Sequence, residues 1–138
     1  MKVVIDTNVL VAALKSKRGA SYKLISLLPD SRFSFMISVP LLLEYEAVLR
    51  RGPLPEGITQ KGIDAFIDFI CSIGVRQKIF FLWRPFLSDP SDDLVLELAV
   101  AAQCDGIITY NKKDFRNIEK FGLRALDPKE FLFEIGVL

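Results

Sequence analysis

Acidic side chains fall at four places along the chain from which they could act together. Asp6 closes the apolar run Lys2-Val-Val-Ile5. Glu44 lies in the first turns of a helical stretch that follows a second apolar run. Asp92 and Asp93 open a later helical stretch. Asp114, with Asn111 before it, follows a run that ends at Thr109. Carboxylates gathered in one place repel one another, and without compensation some take up protons, at a cost of about 1.4 kcal/mol per pKa unit shifted. A divalent cation relieves that repulsion. Oxygen-only ligands select Mg²⁺ or Mn²⁺ over softer metals. Such an ion can acidify an attacking water and shield the charge of a phosphodiester.

Other routes to hydrolysis are closed. The 138 residues include no histidine. A Ser-His-Asp triad, a Cys-His dyad, a two-histidine ribonuclease and a His-ligated zinc site are therefore excluded. Cys71 and Cys104 are too few and too far apart for a zinc ribbon or a redox pair. The charge sum, 18 − 17 = +1, excludes a strongly basic nucleic-acid coat and an acidic tail, but not an enzyme with a locally basic rim.

Taken singly, each acid has a plainer reading. Asp6 could cap the helix after it, and Thr7 and Asn8 could be polar turn residues. Glu44 could be an exposed residue of an amphipathic helix. Asp92 and Asp93 suit the positive end of a helix dipole in any case. Thr109 could be an ordinary strand end and Asp114 a loop residue. Glu46, Glu97 and Asp105 read as surface charges, and Asp89 as a turn residue before Pro90. The coincidence of their positions favours the joint reading.

Those positions come from the alternation of elements. The β-branched start reads as a buried strand, followed by helical patterns from Asn8 to Lys15 and from Tyr22 to Leu28. Phe33–Ser38 is the second strand, and the helix after it runs to Arg51, with Pro40 in its first turn. A loop from Gly52 to Gly57 precedes a helical stripe that stops near Gly74, and Ile79–Leu82 reads as the third strand. Ser91 is placed to cap the helix that holds Asp92 and Asp93. Gly106–Thr109 and Leu123–Leu126 complete the strands, and a last helix starts at Pro128. The alternation predicts a parallel α/β sheet of four to five strands, covered on both faces. In such a sheet all carboxyl ends share one edge, where ligands bind.

The 51% hydrophobic and 25% charged composition predicts one globular domain over residues 1–138. No secretory signal or membrane span is read, and both cysteines are expected as reduced core thiols, so a cytoplasmic protein is expected. Most of the 11 phenylalanines fall at core periodicity. The mean hydropathy of +0.32 is high for a small soluble domain and predicts a surface covered by a partner or a second copy.

Val3-Val-Ile-Asp-Thr-Asn-Val-Leu10 resembles the opening of PIN domains. The likeness is greatest to the branch that forms the toxin of toxin–antitoxin systems, the VapC-like ribonucleases. Ser38-Val-Pro-Leu-Leu-Leu-Glu-Tyr-Glu-Ala-Val-Leu-Arg50, Ser88-Asp-Pro-Ser-Asp-Asp93 and Ile107-Ile-Thr-Tyr-Asn-Lys-Lys-Asp-Phe115 resemble the later family blocks, and Asp127-Pro-Lys-Glu-Phe131 fits the ending. The resemblance implies a three-layer α/β/α sandwich and metal-dependent endoribonuclease chemistry. It also implies a homodimer neutralised by an antitoxin protein. Asp6 and Glu44 match the first two family acids. The third falls at Asp92 or Asp93, which spacing does not separate, although counting back from Thr109 leans to Asp93. Where many members carry a further aspartate, Asn111 stands here. It could supply a neutral oxygen or orient a water, with Asp114 taking over the charge.

An RNA substrate needs cations near the acids. Lys15, Lys17, Arg18, Arg50, Arg51, Lys112, Lys113 and Arg116 are the candidates for phosphate contacts, with a solvated rim as the alternative. A non-catalytic RNA- or protein-binding domain on the same fold is the competing reading, and Asn111 favours it. A phosphoaspartyl receiver or phosphatase is disfavoured: Asn8 stands where such phosphatases need a second aspartate, and no aspartate follows Leu82.

Overall fold

The computed structural model describes residues 1–51, 53–79 and 86–138. Among these, five strands form one parallel sheet in the order β3-β2-β1-β4-β5. They are β1 (Lys2–Ile5), β2 (Ser34–Ile37), β3 (Val75–Arg76), β4 (Gly106–Ile108) and β5 (Arg124–Leu126). The helices are α1 (Thr7–Lys15), α2 (Ala20–Ser26), α3 (Val39–Leu49), α4 (Gln60–Ile73), α5 (Pro90–Ala101) and α6 (Pro128–Glu134), with short 3₁₀ turns at Lys112–Asp114 and Ile118–Phe121.

β1 is central because it is apolar on both sides. Val3, Val4 and Ile5 are fully buried, as a strand covered by helices on both faces must be. α5 packs on β1, β2 and β4, α6 on β5 and α2, and α3 meets both α1 and α5. This is the expected three-layer α/β/α arrangement. The buried stripe of α3 is Leu41, Tyr45 and Leu49, spaced by four, which leaves Val39 and Leu43 exposed.

Three sequence expectations change. The third strand is Val75–Arg76, not Ile79–Leu82; Ile79 is outside any strand, and residues 80–82 lie outside the described residues. The cap of α5 is Asp89 rather than Ser91. Its side chain accepts from the Ser91 N–H at 2.9 Å, and Pro90 takes the first helical position. Phe33, Phe35, Phe115 and Phe131 are buried, but Phe133 is 73% exposed and Phe66, Phe69, Phe86 and Phe121 are only partly covered. Both cysteines are free thiols, Cys104 buried and Cys71 half-buried. No helix among the described residues is long and apolar enough to cross a membrane.

Gly74 ends α4 and turns the chain into β3. A Cβ there would stand 2.7 Å from the side chain of Ile37, which is itself fully buried in β2. Ile37 has no open space to retreat into, so Gly74→Ala is expected to destabilise the fold by about 1–3 kcal/mol. Urea denaturation would read this as a lower midpoint, and an unchanged midpoint would contradict the packing described.

Candidate active site

Adjacent parallel strands end side by side, so β1 and β4 deliver their next residues to one spot. Ile5 pairs with Ile108, and the Asp6 N–H donates to the Ile108 carbonyl at 2.9 Å. Asp6 and Thr109 therefore meet at the carboxyl edge. Both are buried.

The Asp6 carboxylate is surrounded by donors. Oδ1 accepts from the Thr7 N–H at 2.8 Å. Oδ2 accepts from the Thr109 hydroxyl at 2.7 Å and from the Asn8 amide at 3.2 Å. The plain reading of Asp6 as the N-cap of α1 is thus also correct. The Thr109 oxygen accepts in turn from the Asn8 amide at 3.3 Å and the Asn111 N–H at 3.0 Å. Asn8 Oδ1 accepts from the Tyr110 N–H at 3.3 Å, which fixes which end of the Asn8 amide faces the acid. Burial pushes the Asp6 carboxyl up. The hydrogen bonds from Thr109 and Thr7 oppose this, and the charges of Asp114 and Asp89 add to it.

Tyr45 was not singled out from the sequence. It is fully buried, and its hydroxyl donates to the carbonyl of Ile5, the residue before Asp6. Burial, then the Asp6 charge, hold its phenol well above the usual range. The contact ties α3 to the end of β1. Glu44, the residue before it on α3, is half-buried, and it is not among the main charges felt by Asp6 or Asp92.

Asp92 and Asp93 part company. Asp93 is 1% exposed, and its carboxylate accepts from the Leu87 N–H at 2.9 Å, holding the loop before α5. Asp92 faces the other acids. Its carboxyl is pushed up to about 7 by burial, then by the charges of Asp6, Asp89, Asp114 and Asp93. Asp89, read as a turn residue, therefore belongs to the acidic group. Glu97, read as a surface charge, is 1% exposed one turn beyond Asp93. A spacing of four was the available signal, since it puts Glu97 on the face that Asp93 buries.

The donor chemistry suits a hard cation. The charges of Asp89 and Asp114 add to the proton affinity of Asp6 and Asp92, and Asp6 keeps lone pairs beyond its three donors. As the side chains stand, no three acidic or thiol groups among the described residues are close enough to hold a metal ion. Asn111 and Asp114 are both exposed, on the turn after β4.

The cations divide by partner. Arg50 pairs with Asp64 and Glu46, and Lys112 with Glu130 at 2.7 Å. Lys15, Arg18 and Lys113 are exposed and form no ion pair among the described residues.

A family model described as PIN domain matches residues 2–113, a span that includes Asp6, Glu44, Asp92 and Asp93 and stops just before Asp114. Among solved structures, the chain is similar to VapBC-1 from nontypeable Haemophilus influenzae, with a TM-score of 0.64 at 16% identity, over 94% of this chain and 99% of that one. It is similar also to VapBC2 from Rickettsia felis bound to a DNA fragment from their promoter, with a TM-score of 0.65 at 18% identity, over 92% of this chain and 100% of that one. At these identities the likeness concerns the fold. No curated protein matches the chain in sequence.

A raised carboxyl makes stability depend on pH. Folded Asp92 keeps a proton to about pH 7, whereas an unfolded aspartate releases it near pH 4. The contribution is thus full below about pH 4 and is lost as pH rises through about 7. Asp6 acts in the same direction. Asp92→Asn is expected to match the parent at pH 4 and to be more stable at pH 7.5. Urea midpoints at the two pH values would measure this; a variant less stable at pH 7.5 would contradict the repulsion described.

Proposed function

The chain belongs to the PIN domain family, and from that premise we propose that it is a divalent-metal-dependent endoribonuclease, the toxin of a toxin–antitoxin pair. One observation carries the reading. A buried aspartate, held by three donors at the ends of β1 and β4, faces further carboxylates, among which Asp92 is pushed up to about 7 by burial and then by the charges around it. Such a group is unfavourable for stability alone, and a hard cation resolves it.

Asp6 and Asp92, with Asp114, would hold Mg²⁺ or Mn²⁺, and Glu44 and Asp93 are the other acids proposed for the centre. When bound, the cation supplies acidity to water and shielding for the phosphodiester charge. The rest is done by this chain. Thr109 and Asn8 fix the Asp6 oxygens, and the Thr109 hydrogen bond opposes the upward push of burial on that carboxyl. Tyr45 anchors the backbone from which Asp6 projects. Asn111 donates its backbone N–H to Thr109 and leaves its amide for a water or a substrate oxygen.

The antitoxin partner rests on the branch that the sequence blocks resemble, and on likeness in fold to chains of two VapBC structures. A homodimer is part of the same reading. Val39, Leu43 and Phe133, at 66%, 63% and 73% exposure, supply apolar surface for either contact. The second reading, a non-catalytic binder of RNA or protein, is favoured by Asn111 in a place where many members carry an acid.

Purified protein is expected to cleave RNA with Mg²⁺ or Mn²⁺ and to stop with EDTA. Asp6→Asn should lose at least a hundredfold in rate. Thr109→Val, which keeps the shape but removes the hydroxyl, should lose about tenfold. Cleavage that survives both EDTA and Asp6→Asn would end the metal-nuclease reading; RNA binding without turnover would favour the second. Sedimentation at micromolar concentration should give the mass of two chains, and a monomer would remove the dimer.

A further inference from the structure

Beside the carboxylates lies a polar hollow of about 450 Å³, walled by Phe86, Ser88, Lys113, Asp114, Arg116 and Asn117. Resting on the nuclease reading above, we propose that this hollow receives one unstacked nucleotide of a single-stranded RNA. Lys113 and Arg116 would meet its phosphates, and Ser88 and Asn117 its base edge.

The hollow is joined to the candidate active site through Asp114, which lines it and whose charge reaches both Asp6 and Asp92. Leu87, which also lines it, is buried, and its N–H donates to the Asp93 carboxylate. A substrate strand lying in the hollow would therefore run past the carboxylates rather than away from them.

Among the described residues Lys113 forms no ion pair, unlike its neighbour Lys112. Arg116 uses its Nε–H on the Lys113 carbonyl at 3.2 Å, which steadies the guanidinium and leaves its other N–H groups for an acceptor. The Asn117 amide makes no capping bond to the turn it precedes, and its backbone lies in the left-handed region, φ 64°. Two cations, an amide and a hydroxyl together suit a phosphate and a base edge. The Phe86 ring is not a stacking platform. Lys120 lies over it at 4.5 Å and Phe121 meets it edge-on at 5.3 Å, so it serves as wall.

The size selects the form of the RNA. A hollow of this volume encloses a small ligand and not a helix. Bases in an A-form duplex are stacked and turned inward, whereas those of a single strand can splay out and offer their edges. A basic patch that merely attracts anions would show no such preference.

The test uses the intact wild-type protein in EDTA, so that binding is read without cleavage, with a fluorescent RNA decamer as single strand and as duplex. The single strand is expected to bind at least tenfold more tightly. Lys113→Ala and Arg116→Ala should each weaken it about fivefold and lower the salt slope by about one phosphate contact. Asn117→Gly keeps the left-handed backbone and should leave the denaturation midpoint unchanged, while altering the ranking of oligo-A, -C, -G and -U. Equal affinity for duplex or for polyglutamate would overturn the proposal, as would wild-type affinity in the two cation variants. Cleavage in Mn²⁺ separates the two readings. Turnover with an unchanged KM in the cation variants removes the hollow and keeps the nuclease; hollow-dependent binding with no turnover does the reverse.

Discussion

A buried carboxylate must be met by donors, and the donor that matters most to Asp6 comes from more than a hundred residues away. The Thr109 hydroxyl reaches Asp6 only because β1 and β4 are neighbours in the register Ile5 to Ile108. A slip of one residue would turn Thr109 away and leave the acid buried with two donors instead of three. The helices on both faces, the buried Val3–Ile5 run of β1 and the Tyr45 bond to Ile5 all hold that register. The other acids are arranged around the result.

Much of this could be read from the chain. Lys2-Val-Val-Ile-Asp is a β-branched run closed by a capping acid, and strand and cap both follow from residue type. The parallel sheet follows from the alternation of elements, and the common edge follows from the sheet. The third strand was hidden because it is only two residues long and exposed, while the more apolar run after it drew the assignment. Asp92 and Asp93 could not be separated because adjacent helical residues differ by about 100° in direction, and only packing decides which one turns inward. Here Asp93 does, with Glu97 one turn later.

Charge was the least legible property. Lys112 and Lys113 are equivalent in sequence, yet one is bound to Glu130 on α6 and the other forms no ion pair among the described residues. Arg50 is engaged by Asp64 of the next helix. Pairings across such separations depend on tertiary contacts, so the candidate phosphate ligands could be named but not sorted. Tyr45 was invisible for a similar reason: a tyrosine at a core position reads as packing, and its hydroxyl bond to a strand carbonyl leaves no trace in periodicity.

The strand order also governs what a ribosome releases. β1 emerges early but sits in the middle of the sheet, and its flank stays open until residues 106–108 have been made. Until then Asp6 has no Thr109 beside it. A nascent chain cut short before that point carries the first acid without its partner, so whatever chemistry the edge supports begins only when translation has passed the fourth strand.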